Sequence, residues 1–214
     1  MIDILIFGAS GHTKVVCDLI EREGKYRIRA FIDPAKSSAT WCGIPVEDDE
    51  WAARQSIRNG LIAVGDNFLR SRIRDTILER MPDFRFVSAV HPSAVLGRDV
   101  RIGEGSVILA GAIVNAGTEI GAHVILNTRT SVDHDSRIGS FSSLAPGCTT
   151  GGDVIVGEYT AIGLGANLRH GIHIGEHSVL GVGAAVLDDV ESYTVAYGVP
   201  ARPIRKRVLG EKYL

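Results

Sequence analysis

The chain has 214 residues, 45% hydrophobic and 22% charged, with 23 Lys and Arg against 25 Asp and Glu and a net charge of -2. That balance excludes a disordered chain and offers no basic excess for nucleic acid or an anionic membrane. Aromatics are only 6% while glycines number 25, which predicts many tight backbone turns in place of a large aromatic core.

The first half reads as α/β. Ile2–Phe7 is a short aliphatic run suited to a buried parallel strand, followed by the turn Gly8-Ala9-Ser10-Gly11-His12. Val15, Val16, Leu19 and Ile20 then recur at helical spacing. Tyr26–Ile32 predicts a second strand ending at Asp33-Pro34, and Gly60–Val64 another ending at Gly65-Asp66-Asn67. Leu69–Arg80 predicts a helix with Ile73, Ile77 and Leu78 on one side, and Arg85–Val87 one more strand. Alternating βα units imply a small parallel sheet of Rossmann type over residues 1–88. Cys17, Cys42 and Cys148 are an odd set with no short spacing, so neither a disulfide framework nor a cysteine zinc site is expected. Asp3 stands where a signal peptide would be basic, and no run of about 18 apolar residues occurs, so the expectation is a cytoplasmic protein without a membrane span.

The second half, residues 89–190, changes period. From Ile102 an aliphatic residue returns every sixth position through Val186, interrupted once, by Thr150. Two places earlier sits mostly a small residue, such as Ser106, Thr118, Ser142 or Thr160, and glycine often follows the aliphatic slot. Such a hexad repeat predicts an all-β solenoid of triangular coils. The aliphatic side chain fills the interior, the small one fits a corner, and coils rise by ~4.8 Å. Ser88–Ala94 shows neither period and reads as the junction; residues 191–214 read as a turn-rich tail with Arg202, Arg205, Lys206 and Arg207.

The hexads joined to Gly8-Ala9-Ser10-Gly11-His12, Gly65-Asp66-Asn67, His91-Pro92-Ser93-Ala94, Val132-Asp133-His134-Asp135 and Gly198-Val199-Pro200-Ala201 resemble the left-handed β-helix sugar acyltransferases. These include bacillosamine and perosamine N-acetyltransferases and sialic acid O-acetyltransferases. The resemblance covers nearly the whole chain. It implies a left-handed coil, a homotrimer with sites between subunits, an N-terminal domain holding a nucleotide-sugar, and acetyl-CoA along the helix. The implied reaction is acetyl transfer to a nucleotide-linked amino sugar, such as a 4-amino-4,6-dideoxy sugar. The alternative is O-acetylation of a sialic acid type hydroxyl.

His134 follows the interior Val132 by two places and is expected to point off the prism as general base. The resemblance makes Asp135 its partner, places Asn127 near the same site, and gives the Gly152 amide to the oxyanion. It also places pantetheine against main chain around Gly152, Leu164, Gly165, Gly181 and Gly183. The Gly11 turn opens a helix and suits phosphate, yet Ser10 and Thr13 replace two glycines of the dinucleotide fingerprint, which argues against NAD. Asp33 ends a strand where it can accept from a ribose or base. The resemblance extends binding roles to His12 and Lys14 near phosphates and to Gly65 and Asn67 near the nucleoside. Some relatives carry a second histidine where this chain has Ser143. No metal is expected: His134 and His170 lie two coils apart, about 10 Å, too far to share a zinc ion.

Overall fold

The computed structural model describes residues 1–37 and 39–213. Its first layer holds β1 (Ile2–Phe7), α1 (Gly11–Glu23), β2 (Tyr26–Ile32), β3 (Thr40–Trp41), β4 (Ile44–Glu47), α2 (Asp49–Arg54), β5 (Asn59–Ile62), α3 (Asn67–Arg80) and β6 (Arg85–Phe86). The strand order is β3-β4-β2-β1-β5-β6. All pairs are parallel except the β3–β4 hairpin. Side chains alternate across β1: Ile4 and Ile6 pack toward Val16, Leu19 and Ile20 of α1, while Leu5 and Phe7 pack toward Ile77 and Met81. This is the Rossmann-like arrangement, with its crevice where β2 and β5 leave β1 in opposite directions. The sequence reading assigned nothing to β3, β4 and α2. Cys42 and Gly43 turn that hairpin, both with positive φ (51° and 75°), and its strands are too short to show a period.

The second part is a three-sided parallel β-helix. Strands pair with the strand 18 residues onward, as Val107 does with Ile125, Ile113 with Ser131 and Glu119 with Arg137. They form sheets of eight, six and five strands. The interior is the aliphatic column from Ile108 to Val186. The small corner residues do more than fit. Ser106, Ser142 and Thr160 are buried, and each hydroxyl accepts the main-chain N–H 18 residues later, at 2.9, 3.1 and 3.2 Å. They satisfy corner amides that no strand pairs. The hexad register also starts earlier than Ile102: Ala89–Val90 and Val95–Leu96 are the first strands of their sheets.

The two parts are welded together. Val16, Leu19 and Ile20 of α1 share one apolar cluster with Ala89, Val107, Leu109 and Ile125 of the solenoid. Arg70 of α3, 1% exposed, donates to the carbonyls of His123 (2.9 Å), Phe141 (2.8 Å) and Val64 (2.9 Å) and to Asn67 Oδ1 (2.8 Å). Beside it runs a ladder of rings, His123, Phe141, Tyr159, His177 and Tyr193, stacked at 4.5–5.2 Å, all on residues of positive φ. Phe86 closes its end edge-on at 4.7 Å from His123. The tail is more ordered than a turn-rich end: Thr194–Gly198 and Ala201–Lys206 form an antiparallel hairpin on the last coil. Residues 207–213 then return to α3, where Tyr213 Oη accepts the Asn67 N–H at 3.1 Å.

Candidate active site

His134 sits on the corner after the strand Ser131–Val132, its side chain 60% exposed. Its Nδ1 meets Asp135 Oδ2 at 2.8 Å. A carboxylate at Nδ1 makes that nitrogen the proton donor and leaves the lone pair on Nε2. Asp135 first and Asp133 second push the imidazole pKa above its ordinary 6.5. Asp133 Oδ1 in turn accepts the His134 N–H at 2.8 Å and the Asn115 side-chain amide at 2.7 Å.

Gly152 stands one coil further along, directly beneath the ring. A Cβ there would lie 2.5 Å from His134 Nε2, so only glycine lets the imidazole lie flat. Gly152 is buried, and its N–H donates to no protein group among the described residues. A buried amide without an acceptor is rare in a folded chain, and this one belongs to the residue packed against the imidazole of His134.

A cavity of ≈ 370 Å³ lies between the two parts of the chain. Its floor is the outer face of one solenoid sheet, including Ser143 and Ala161; its long wall carries Leu164, Gly181 and Val182. Its polar lining comes from His12, Gly65, Asn127, Ser143 and Tyr213, and the Tyr213 hydroxyl joins Gly65 and Ser143 into one polar end. Burial, then the nearby Arg70, lowers the His12 pKa to about 4, so its ring is neutral. Burial keeps the Tyr213 phenol protonated by raising its pKa. Among the described residues no lysine or arginine lines this cavity, so the lining suits an uncharged, hydroxyl-bearing ring better than phosphate.

A second cavity, ≈ 440 Å³, opens at the crevice of the Rossmann-like sheet between the Gly8–Ser10 turn, Asp33 and Asp49. Asp33 Oδ2 accepts the Ala9 N–H at 3.1 Å and Oδ1 the Ala35 N–H at 3.2 Å. Both oxygens shape the turn and retain acceptor capacity. Gly11 begins α1 with open space around it, and Lys14 is exposed.

The structure gives each sequence-predicted residue its surroundings. Asn67 is 1% exposed, and its side chain is spent on the joint, donating to the carbonyls of Tyr159 (3.3 Å) and Thr160 (3.1 Å) and accepting from Arg70; it is not free for a nucleoside. His12 lines the interdomain cavity as a neutral ring and is not part of the lining of the glycine-turn crevice. The amides of Gly165, Gly181 and Gly183 all donate within the solenoid, to Pro146, Ala196 and Leu164 carbonyls. The N–H groups of Leu164 and Val182 have no such acceptor among the described residues. Asn127 and His134 occupy different corners, and His134 does not line the cavity that holds Asn127. The sequence reading missed Asn115 and Tyr213, while Val182 lies within the Gly181–Gly183 stretch expected to meet pantetheine. For Tyr213 no sequence signal existed, because only folding brings it across 146 positions to Asn67.

The PglD N-terminal domain family matches residues 3–77. The chain is 35% identical over 115 residues to the UDP-N-acetylbacillosamine N-acetyltransferase of Bacillus subtilis, a match spanning 51% of this chain and 52%, about half, of that curated relative. The crystal structure of PerB from Caulobacter crescentus, in complex with CoA and GDP-perosamine, superposes with a TM-score of 0.89 at 35% identity, covering 95% of this chain and 97% of that one. The acetyltransferase domain of PglB from Neisseria gonorrhoeae, in complex with acetyl coenzyme A, gives 0.87 at 31% identity, covering 94% and 98%. The two-part fold, the exposed imidazole clamped by a carboxylate and the near full-length likeness agree: the chain belongs to the hexapeptide-repeat sugar N-acetyltransferases.

Proposed function

We propose that this chain moves the acetyl group of acetyl-CoA onto the amine of a nucleotide-linked amino sugar, with His134 as general base. The observation that carries the reading is the imidazole held by Asp135 at 2.8 Å over Gly152. Acetyl-CoA supplies an activated thioester. Nε2 of His134 removes a proton from the attacking amine as the C–N bond forms, and that proton neutralises the thiolate released when the C–S bond breaks. The Gly152 N–H stabilises the oxyanion that develops between these events. The apolar wall with the Leu164 and Val182 amides fits a pantetheine arm, and the neutral polar end at His12, Ser143 and Tyr213 fits the sugar.

In this reading residues 1–88 hold the nucleotide at the Gly8–Gly11 turn and Asp33, residues 89–190 carry the transfer, and residues 191–214 close the last coil. The assembly is a homotrimer. One chain keeps its base and its cavity on separate corners, so a neighbour's base completes the site. The aligned outward residues Val95 and Ile113, 59% and 39% exposed, supply an apolar contact stripe. We place the enzyme in the cytoplasm, where acetyl-CoA and nucleotide-sugars meet; among the described residues no helix is long and apolar enough to cross a membrane. The test is release of free CoA thiol from acetyl-CoA with GDP-perosamine, a UDP-linked amino sugar or free sialic acid as acceptor. Turnover with a nucleotide-linked amine is expected. Turnover with sialic acid alone would overturn the N-acetyl assignment.

A further inference from the structure

Thr150 is the one polar residue in the interior slot of the repeat, and it is 3% exposed. A hydroxyl there displaces an aliphatic contact in the core column between Val132 and Leu168. Its geometry shows what it does instead. Along this sheet the N–H after each slot donates to the main-chain carbonyl of the slot residue one coil on. Gly97 donates to Val114, Asn115 to Val132, Gly151 to Leu168 and Arg169 to Val186, at 2.7–2.9 Å. At Asp133 the rule breaks: its N–H donates to the Thr150 hydroxyl at 3.2 Å. The ladder is interrupted at the same place. Its neighbours pair through two residues, whereas these two strands pair only through Ser131 and Thr149.

The interruption lies one residue before His134 and two residues before Gly152, the two groups that must stay aligned. The corner keeps main-chain bonds beyond this point, Asp135 N–H to the Ala116 carbonyl and Asp153 N–H to the His134 carbonyl, and at Asp133 side-chain bonds replace the ladder: Thr150 to the Asp133 N–H, Asn115 to the Asp133 carboxylate, and that carboxylate to the His134 N–H. We infer that Thr150 is a positioning residue, whose hydroxyl replaces a ladder bond so that the corner presents His134 over Gly152. This rests on the reading of His134 as base, and it assigns a purpose to the break in the repeat.

The test compares Thr150→Val, Thr150→Ser and His134→Ala in the full-length protein, with acetyl-CoA and GDP-perosamine or whichever nucleotide-linked amino sugar the wild type turns over. Valine restores the aliphatic slot and lets the Asp133 N–H return to the ladder. Its Tm is expected to equal or exceed the wild-type value, while kcat falls about 10- to 100-fold, the scale of a misplaced catalytic group. KM for both substrates is expected within about 3-fold, since uniform binding is untouched. Serine keeps the hydroxyl and is expected to restore most of kcat. A Thr150→Val enzyme with full kcat, beside an inactive His134→Ala, overturns the role of Thr150 alone. A lowered Tm with loss of activity in both Thr150 variants reduces Thr150 to a packing residue and also overturns it. An active His134→Ala enzyme removes the base itself, and this inference with it.

Discussion

The ring of His134 rests on Gly152 so closely that a methyl group on Gly152 would touch Nε2 at 2.5 Å. The two residues are one coil apart, and their contact depends on the register of the solenoid. Gly152→Ala is therefore expected to fold, since a corner residue gains only a methyl group, and to lower kcat by ~10²-fold through displacement of the ring. Steady-state kinetics beside a melting curve would check this. Unchanged kcat would mean that the ring works elsewhere.

The carboxylate at Nδ1 sets the pH profile. Because Asp135 and Asp133 raise the His134 pKa above 6.5, kcat/KM should fall as pH drops through that raised value, where the base becomes protonated. Asp135→Asn is expected to move this acidic limb to lower pH and to lower kcat roughly 10-fold, less than the ~10²–10⁴ of His134→Ala, because the imidazole remains. A limb that stays in place in the Asp135→Asn enzyme would assign it to another group.

The aromatic ladder predicts acid sensitivity. His123 is buried between Phe86 and Phe141, neither ring nitrogen has a partner among the described residues, and burial lowers its pKa to about 3. It is neutral when folded, so below the ordinary value of 6.5 the unfolded chain takes up a proton that the folded chain refuses. Stability should decline from pH 6.5 toward 3, by about 2 kcal/mol at pH 5 from this residue. His123→Phe should flatten that slope while keeping the stack. Denaturant titrations at pH 7 and pH 5 measure the difference.

Arg70 carries the joint between the two parts. Arg70→Met would leave the carbonyls of His123, Phe141 and Val64 buried without donors, and a loss of at least about 3 kcal/mol is expected. Chemical denaturation should show it, and a stability within about 1 kcal/mol of wild type would refute the role.

Tyr213 closes the polar end of the cavity. Among the described residues its hydroxyl has only long contacts as donor, 3.3 Å to the Gly65 carbonyl and 3.5 Å to Ser143 Oγ, so its proton can turn to a bound sugar. Tyr213→Phe should raise KM for the nucleotide-sugar about 3- to 10-fold and leave KM for acetyl-CoA unchanged. Equal KM shifts for both substrates would point to a collapsed cavity instead.

The period of six announces the solenoid because every coil must bury the same column, and a repeated physical demand leaves a repeated residue. The pattern weakens where the demand does: Leu96, in the first coil, is 41% exposed with a coil on one side only. The outward place of His134 was legible from its position two residues after the interior Val132, whereas its pairing with Asp135 came from the resemblance, because adjacency alone does not aim a carboxylate at an imidazole. The β3–β4 hairpin left no trace, since two strands of 2 and 4 residues cannot display a period.

What sequence alone determined was therefore local and repetitive: the strands of the coil, its interior column, the corner that exposes His134, and the single flaw at Thr150. Folding decided everything that depends on residues far apart in the chain. It turned Asn67 from a ligand candidate into part of a buried joint, consumed the glycine amides in coil pairing, brought Tyr213 to Ser143, and made the flaw at Thr150 a hydrogen bond at Asp133. The reason is that hydrogen-bond partners are chosen by three-dimensional competition, and a polar group's identity does not say which neighbour will satisfy it.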